Sequence, residues 1–393
     1  MSATPSFVTL HYGIEAAPGG LPNRGADGFA KRLHYGGVER QRISSQCIKS
    51  HVRDADVIKR AAASIGTEMS VRSAQIAPKM LAPRLREMGI PEDAAETLAS
   101  DVFRFLFNKE AAEKPSAEEL PADDTEAEAT GDAKPKKGKR APLPVVDDPK
   151  ATIRVLGKGE VEAIAVLAAQ VHRNGLTFSK LPAPKSQPDW LKDALKALQT
   201  VGSGFDAALF GRMATSQVVS NVDGAVLVSP WVTTHPISAT ADYFSARDQL
   251  SESSGAAYVA TQEVTSGVYY GSVVIDLRRL ESNLGSNGKT PDIVAAVAEA
   301  FGTTDPSAKR GSTGASSRVV EIVAEVGPHA MPSAMGAFGS RYAYTGDEMA
   351  RMLRDEISRR REEAAFESQR SGVVITMSET KAKFLDALRK AVA

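Results

Sequence analysis

The chain carries one cysteine, Cys47, among 393 residues. That excludes an intramolecular disulfide and any zinc site built on paired cysteines, and it points to a reducing compartment. No apolar run approaches the roughly 20 residues of a membrane-spanning helix. The N-terminal MSATPSFVTLHYG also lacks the basic stretch, apolar centre and small-residue cleavage site of a secretory signal. A cytoplasmic protein without membrane contact is expected. Net charge is missing too: 48 Lys and Arg balance 48 Asp and Glu, which argues against a uniformly basic nucleic-acid binder.

Catalytic signatures are equally scarce. The 6 histidines show no HExxH or other close metal spacing, and there is no GxSxG. His235, in TTHP, has no neighbour to orient it as a base and reads as a loop residue. GSNGKT, from Gly285 to Thr290, follows a strand and precedes a helix, but a phosphate-cradling loop needs glycine where Asn283 stands. A nucleotide-hydrolysing switch at Lys289 is thereby disfavoured. Asp27, in a Gly-rich loop, is a lone carboxylate, and ordinary loop solvation explains it better than a metal would. No metal and no cofactor are expected.

A hydrophobic fraction of 42% and a charged fraction of 24% describe a globular chain, long enough for two to three domains or one domain with large insertions. SFVTLHY reads as a first strand and VERQRI as a second, whose alternation puts Arg40 and Arg42 on one face and Ile43 on the other. Ser44 or Ser45 caps a following helix with Gln46, Lys49 and Arg53 on neighbouring turns. Helical patterns then run to about residue 109, with Pro91 opening one of them. Residues 110–148, charged and rich in Ala, Pro and Glu, form a flexible insert, in which KPKKGKR reads as a solvated linker. EVEAIAVLAAQVHRN and DWLKDALKALQT continue the helical group. VTSGVYYGSVVID, RVVEIVAEV and GVVITM are strands, alternating with helices at Pro291 to Phe301, GDEMARMLRDEISRRREEAAF and KAKFLDALRKAVA. Gly267 and Gly271 mark a bend or a close backbone approach in the first of these strands. The pattern is α+β with interrupted sheets.

Two stretches point to a binding function. Arg24, Lys31, Arg32, Arg40, Arg42, Lys49 and Arg53 surround a strand-to-helix junction, where the free N–H groups of a capped helix suit phosphate; a solvated basic face is the alternative. From Gly211 to Tyr270, by contrast, small, hydroxyl-bearing and aromatic residues predominate, and no lysine occurs between Lys196 and Lys289. Such a stretch suits an interface or an intercalating surface better than an ordinary solvated face.

The order NRG, GG, RISSQ and Lys49, followed downstream by GRMATS, VDGA, TTH, GAAYVATQE and SGVYY, resembles the CasC family of the RAMP superfamily. CasC is the repeated backbone subunit of type I-E Cascade, the CRISPR RNA-guided surveillance complex. The resemblance implies an RRM-like (ferredoxin-like) palm at 1–60, 211–236 and 268–393, helical fingers inserted at 61–210 and a β-hairpin thumb at 237–267. It also implies copies polymerising head to tail along a guide RNA, holding its phosphates and flipping nucleotides at intervals so that it pairs with target DNA. The implied partners are guide RNA, target DNA, further copies of the chain, other Cascade subunits and a recruited helicase-nuclease. Nuclease activity resides elsewhere in such systems, so this chain is expected not to be an enzyme. The implied RNA-binding set is Arg24, Lys31, Arg40, Arg42, Ser45, Gln46, Lys49, Arg53, Arg212, Met213, Tyr243, Phe244 and Val259. The alternative is a type III-like subunit cleaving RNA with a metal at Asp27.

Overall fold

The computed structural model describes residues 5–19, 23–25, 28–107, 153–181, 186–214, 216, 218–247, 256–285, 288–307, 310–366, 372–377 and 380–393. The expected insert at 110–148 and Asp27 lie outside them. The fold is α+β, divided into a sheet unit (1–70, 202–213 and 221–393) and a helical unit (71–201 and 214–220).

The sheet unit opens with β1 (Phe7–Gly19), β2 (Arg32–Tyr35), β3 (Val38–Ile43), α1 (Ser45–Asp54) and α2 (Asp56–Ser64). The helical unit follows with β4 (Val71–Ser73), a π-helical turn leading into α3 (Ala82–Glu87), then α4 (Glu92–Phe107), β5 (Arg154–Leu156), α5 (Lys158–Arg173) and α6 (Asp189–Thr200). In α4 the buried Ala95, Leu98, Ala99, Val102 and Leu106 recur at helical spacing, and Glu92 and Asp93 complement the dipole of its first turn. Their stripe joins Leu85, Ile164, Leu167 and Leu191 in a core of the unit's own.

The chain then returns to the sheet unit as α7 (Phe205–Phe210), β6 (Val226–Val228), β7 (Trp231–Thr233), β8 (Ala239–Arg247), β9 (Ala256–Asp276), α8 (Leu277–Leu284), α9 (Thr290–Thr303), α10 (Arg310–Thr313), β10 (Ser317–Gly327), α11 (Gly346–Phe366), β11 (Val373–Thr376) and α12 (Lys381–Val392). Residues 61–70 and 202–210, assigned by sequence to the helical insertion, belong here: Ala61 and Ala62 of α2 and Phe205 and Leu209 of α7 pack into the sheet core. Periodicity marks a segment as helical but does not say which core receives its apolar face.

The strands run β11-β10-β1-β9-β7-β3-β2, with β6 and β8 also paired to β9, and the pairings are antiparallel. Val8, Leu10, Tyr12 and Ile14 of β1 face a core with Val52 of α1, Phe301 of α9 and Leu388 of α12. The opposite face buries Val268, Tyr270 and Val323 against Phe338 and against Met349, Leu353 and Ile357 of α11. Cover on both faces explains why β1 is buried almost without alternation. The second face also holds His11, bonded to the Tyr270 hydroxyl at 2.8 Å and to Glu325 at 2.9 Å. Gly271 lies under the Trp231 indole, where a Cβ would overlap the ring, so the expected close approach in β9 is real. Asn283 donates to the carbonyls of Ala208 and Asp223, both at 2.9 Å, and is a structural tie.

β9 is 21 residues long, and its pairing with β1 ends at Thr265. From Val264 back to Ala256 its partner among the described residues is β8 alone, in register from Thr240 opposite Val264 to Ala246 opposite Tyr258, after which a one-residue shift sets Arg247 opposite Ala256. The hairpin therefore leaves the sheet as a two-stranded ribbon with two solvent faces.

Candidate nucleic-acid interface

Ser44, not Ser45, caps α1: its hydroxyl accepts from the Cys47 N–H at 3.3 Å. Asn23 joins the preceding loop to this cap. Its side-chain oxygen accepts from the Ser44 N–H at 3.0 Å, its carbonyl accepts from Lys31 N–H at 3.0 Å, and the Lys31 carbonyl accepts from Arg42 N–H at 2.8 Å. A backbone bridge between Arg24 and Ala30 narrows the loop. Arg24 is exposed and Lys31 half-buried, close enough to α1 for its charge to act on the Cys47 thiol, whose pKa burial raises and Lys31 lowers. Ser45 is half-buried and Gln46 exposed in the first turn.

Lys49 and Arg53, one turn apart, lie over the Phe210 ring at 6.0 and 5.9 Å. Burial holds the Lys49 pKa below its usual value, and the neighbouring Arg53 charge adds to this. Arg53 is already committed to Asp206 at 3.2 Å, a buried carboxylate that also accepts from the Ser70 N–H and hydroxyl at 2.7 and 2.8 Å. Among the described residues no carboxylate pairs with Arg24, Lys31, Arg42 or Lys49. These four cations therefore present net positive charge around a helix N-terminus.

Arg40 corrects the expected set. It is fully buried, donating from Nε to the Tyr35 carbonyl at 3.0 Å, from Nη1 to Thr233 at 2.8 Å and from Nη2 to Phe338 at 2.6 Å, between the Tyr35 and Tyr342 rings. Its guanidinium satisfies backbone inside the fold and has no path to a phosphate. Strand alternation placed it on a face but could not say that Phe338, 298 residues away, covers that face. Arg212, only 5% exposed, is likewise turned inward, its backbone paired to Val222, whereas the adjacent Met213 is 84% exposed. His235 has both ring nitrogens occupied by backbone: Nδ1–H donates to the Pro236 carbonyl at 2.7 Å and Nε2 accepts from Val268 N–H at 3.2 Å.

The hairpin splits the expected wedge across two faces. Tyr243 stands opposite Thr261 and Phe244 opposite Ala260, while Val259 is opposite Ser245. Tyr243 and Val259 share one face, and Phe244 shares the other with Tyr258, ring centroids 6.0 Å apart. All four are exposed. Tyr258 was missed as a site residue because its face follows from register, which a single strand does not reveal.

Glu263 connects the two halves of the site. It lies buried in β9 on the Tyr243 face, accepts from the Ala30 N–H at 2.7 Å and pairs with Arg32, which also reaches Glu39 at 3.1 Å. Gln41 donates to Thr265 at 3.1 Å, and Ile237 N–H donates to the Glu39 carbonyl at 2.8 Å. The ribbon root is thus fastened to the loop bearing Arg24 and Lys31. Replacing Glu263 by Ala removes a charge-assisted bond, and the Ala30 amide should exchange with solvent about ten- to a hundredfold faster. Unchanged Ala30 protection would show that the loop is held by other contacts.

Among the described residues no group of three or more His, Cys, Asp or Glu could hold a metal ion, and no helix is long and apolar enough to cross a membrane. Among solved structures the chain is similar to a chain of a CRISPR RNA-guided surveillance complex, pre-nicking, with a TM-score of 0.71 and 24% identity over 98% of this chain and 100% of that one. A chain of another CRISPR RNA-guided surveillance complex gives a TM-score of 0.62 and 23% identity, over 98% of this chain and 99% of that one. At these identities the likeness carries the fold. No curated protein matches the chain. Residues 8–389 match the CT1975-like protein family, to which the chain belongs.

Proposed function

We propose that this chain is the guide-RNA-binding backbone subunit of a type I-E Cascade, of the CasC kind. The observation that carries the reading is the grouping of Arg24, Lys31, Arg42 and Lys49, unneutralised by described carboxylates, beside a ribbon that exposes Tyr243, Phe244, Tyr258 and Val259. Phosphate contacts from such cations do not read sequence, as a subunit accepting any guide requires. Apolar and aromatic side chains on a thin ribbon can separate stacked bases with little sequence preference. Specificity then falls to pairing between guide and target DNA. The fold shared with chains of RNA-guided surveillance complexes supports the same reading.

In this account copies bind head to tail, the ribbon of one acting on RNA held by the next. Such heterologous contacts extend into an open filament when the rotation between copies does not close a ring. Other Cascade subunits cap the filament, a helicase-nuclease is recruited to it in the cytoplasm, and the chain itself catalyses nothing. The test is to purify the protein with its co-expressed partners, extract the nucleic acid and digest the complex with ribonuclease. RNA of uniform length, protected at regular intervals, is expected. Heterogeneous RNA without periodic protection would overturn the reading, as would magnesium-dependent cleavage of complementary RNA abolished by Asp27→Ala.

A further inference from the structure

At the root of the ribbon, across the C-terminal end of β1, the start of β10 and the middle of β9, lies an open groove of about 560 Å³ lined by Glu15, His235, Ser266, Ser317, Arg318 and Tyr344, among others. Tyr344 is 60% exposed, yet it is held in place. Its ring stacks on the His235 imidazole at 5.1 Å and 20°, and the imidazole is locked by the two backbone bonds already described. Its own N–H donates to Glu348 at 3.0 Å, and the preceding Ala343 carbonyl accepts from the Thr234 hydroxyl at 2.6 Å. One face of the ring is thus backed by the protein, and the residue as a whole stays largely open to solvent. A large aromatic ordered in this way is a surface prepared for a flat partner.

The groove lining narrows the choice of partner. Glu15 pairs with Arg318 across the strands at 2.6 Å, so this guanidinium is neutralised and the rim offers acceptors as well as donors. The paired charges leave no net positive charge to hold a phosphate, and the lining mixes serine hydroxyls with the apolar Ala16, Ala17, Pro18 and Val268, which suits a partner that is apolar on its face and polar at its edge. A flat face bordered by hydroxyls, a carboxylate and a guanidinium matches a nucleobase, whose ring stacks while its edge hydrogen-bonds. The volume is that of a small-ligand site. Ser238 and Ser266 in the lining immediately flank the β8–β9 ribbon, so a base unstacked by the ribbon would find this platform at its root.

We infer that Tyr344, backed by His235, is the stacking platform of a nucleobase subsite at the ribbon root. The inference rests on the reading of the chain as an RNA-binding backbone subunit. The base comes either from the guide or from the paired target strand.

The test uses the full-length protein assembled on RNA, with 4-thiouridine scanned through the guide in one arm and 4-thiothymidine through the target strand in the other. Irradiation should cross-link the Tyr344 peptide at recurring positions in one arm, which identifies the source. Tyr344→Ala should weaken RNA or target-strand binding about five- to a hundredfold with an unchanged salt slope, because no phosphate contact is lost, and Tyr344→Phe should retain affinity. Wild-type affinity in Tyr344→Ala with no cross-link in either arm would overturn the subsite alone. Loss of self-association of RNA-free Tyr344→Ala would overturn it in favour of a protein contact. Wild-type protein that carries no RNA would overturn the functional reading and the subsite with it.

Discussion

Replacing Arg40 by Met is expected to destabilise the sheet unit by about 3–5 kcal/mol, because three hydrogen bonds from a charged donor, about 1.5–3 kcal/mol each, are lost, partly offset by relief of the cost of burying the guanidinium. The side chain reaches three carbonyls from three separate segments, at Tyr35, Thr233 and Phe338. Without it the Thr233 and Phe338 carbonyls lose a partner in the interior, where an unpaired acceptor costs about 1–3 kcal/mol, while the Tyr35 carbonyl lies nearer solvent. Arg40→Lys should recover little, since one ammonium cannot span carbonyls that diverge around a planar fork. Burial lowers the Arg40 pKa, but an arginine keeps its charge in proteins, so the requirement persists at every accessible pH. Urea unfolding monitored by Trp231 fluorescence in a Trp190→Phe background reads the effect. An unshifted midpoint combined with weakened RNA binding would return Arg40 to the phosphate-contacting set.

The second large effect is on binding. Arg24→Ala combined with Lys49→Ala should leave the fold intact, because neither side chain is paired to a carboxylate among the described residues, and should lower RNA affinity by about a hundredfold if each charged hydrogen bond contributes about tenfold. Single-stranded nucleic acid gives a salt slope of roughly 0.7 per phosphate contact, so the slope should fall by about 1.4. The loss should be uniform across guide sequences, since the cations meet phosphate and not bases. Filter binding between low and physiological salt measures both quantities. Unchanged affinity at every salt concentration would remove these residues from the site. Arg53→Ala is a different experiment, because Arg53 also neutralises buried Asp206 and its loss mixes stability with binding.

Much of the architecture was legible in the chain. VTSGVYYGSVVID, RVVEIVAEV and SFVTLHY read as strands because β-branched and aromatic residues cluster between turn signals, and all three lie at the centre of the sheet. Ser44 or Ser45 before a helical pattern read as a cap for the same local reason, and the fold gives the role to Ser44. Motif order, more than composition, indicated the helical insertion and the hairpin. The candidate site was legible in part: the cations at 24, 31, 42 and 49 could be named from their clustering, but not sorted from Arg40 and Arg53, which look identical in one dimension. Tyr258, Glu263 and Tyr344 carried no local signal, since each acquires its place from a partner strand or loop far along the chain.

What the sequence determined by itself is what depends on neighbours within a few residues: helix and strand periods, the cap, the glycines at 267 and 271, and the scarcity of charge along the ribbon. Tertiary structure alone decided which charges are free. Phe338 and Thr233 take Arg40 into the interior, Asp206 claims Arg53, and Glu263 claims Arg32. Pairing between β8 and β9 set Tyr243 and Phe244 on opposite faces. The physical reason is that burial and charge pairing are properties of surfaces brought together by the sheet, whereas propensity belongs to the local backbone.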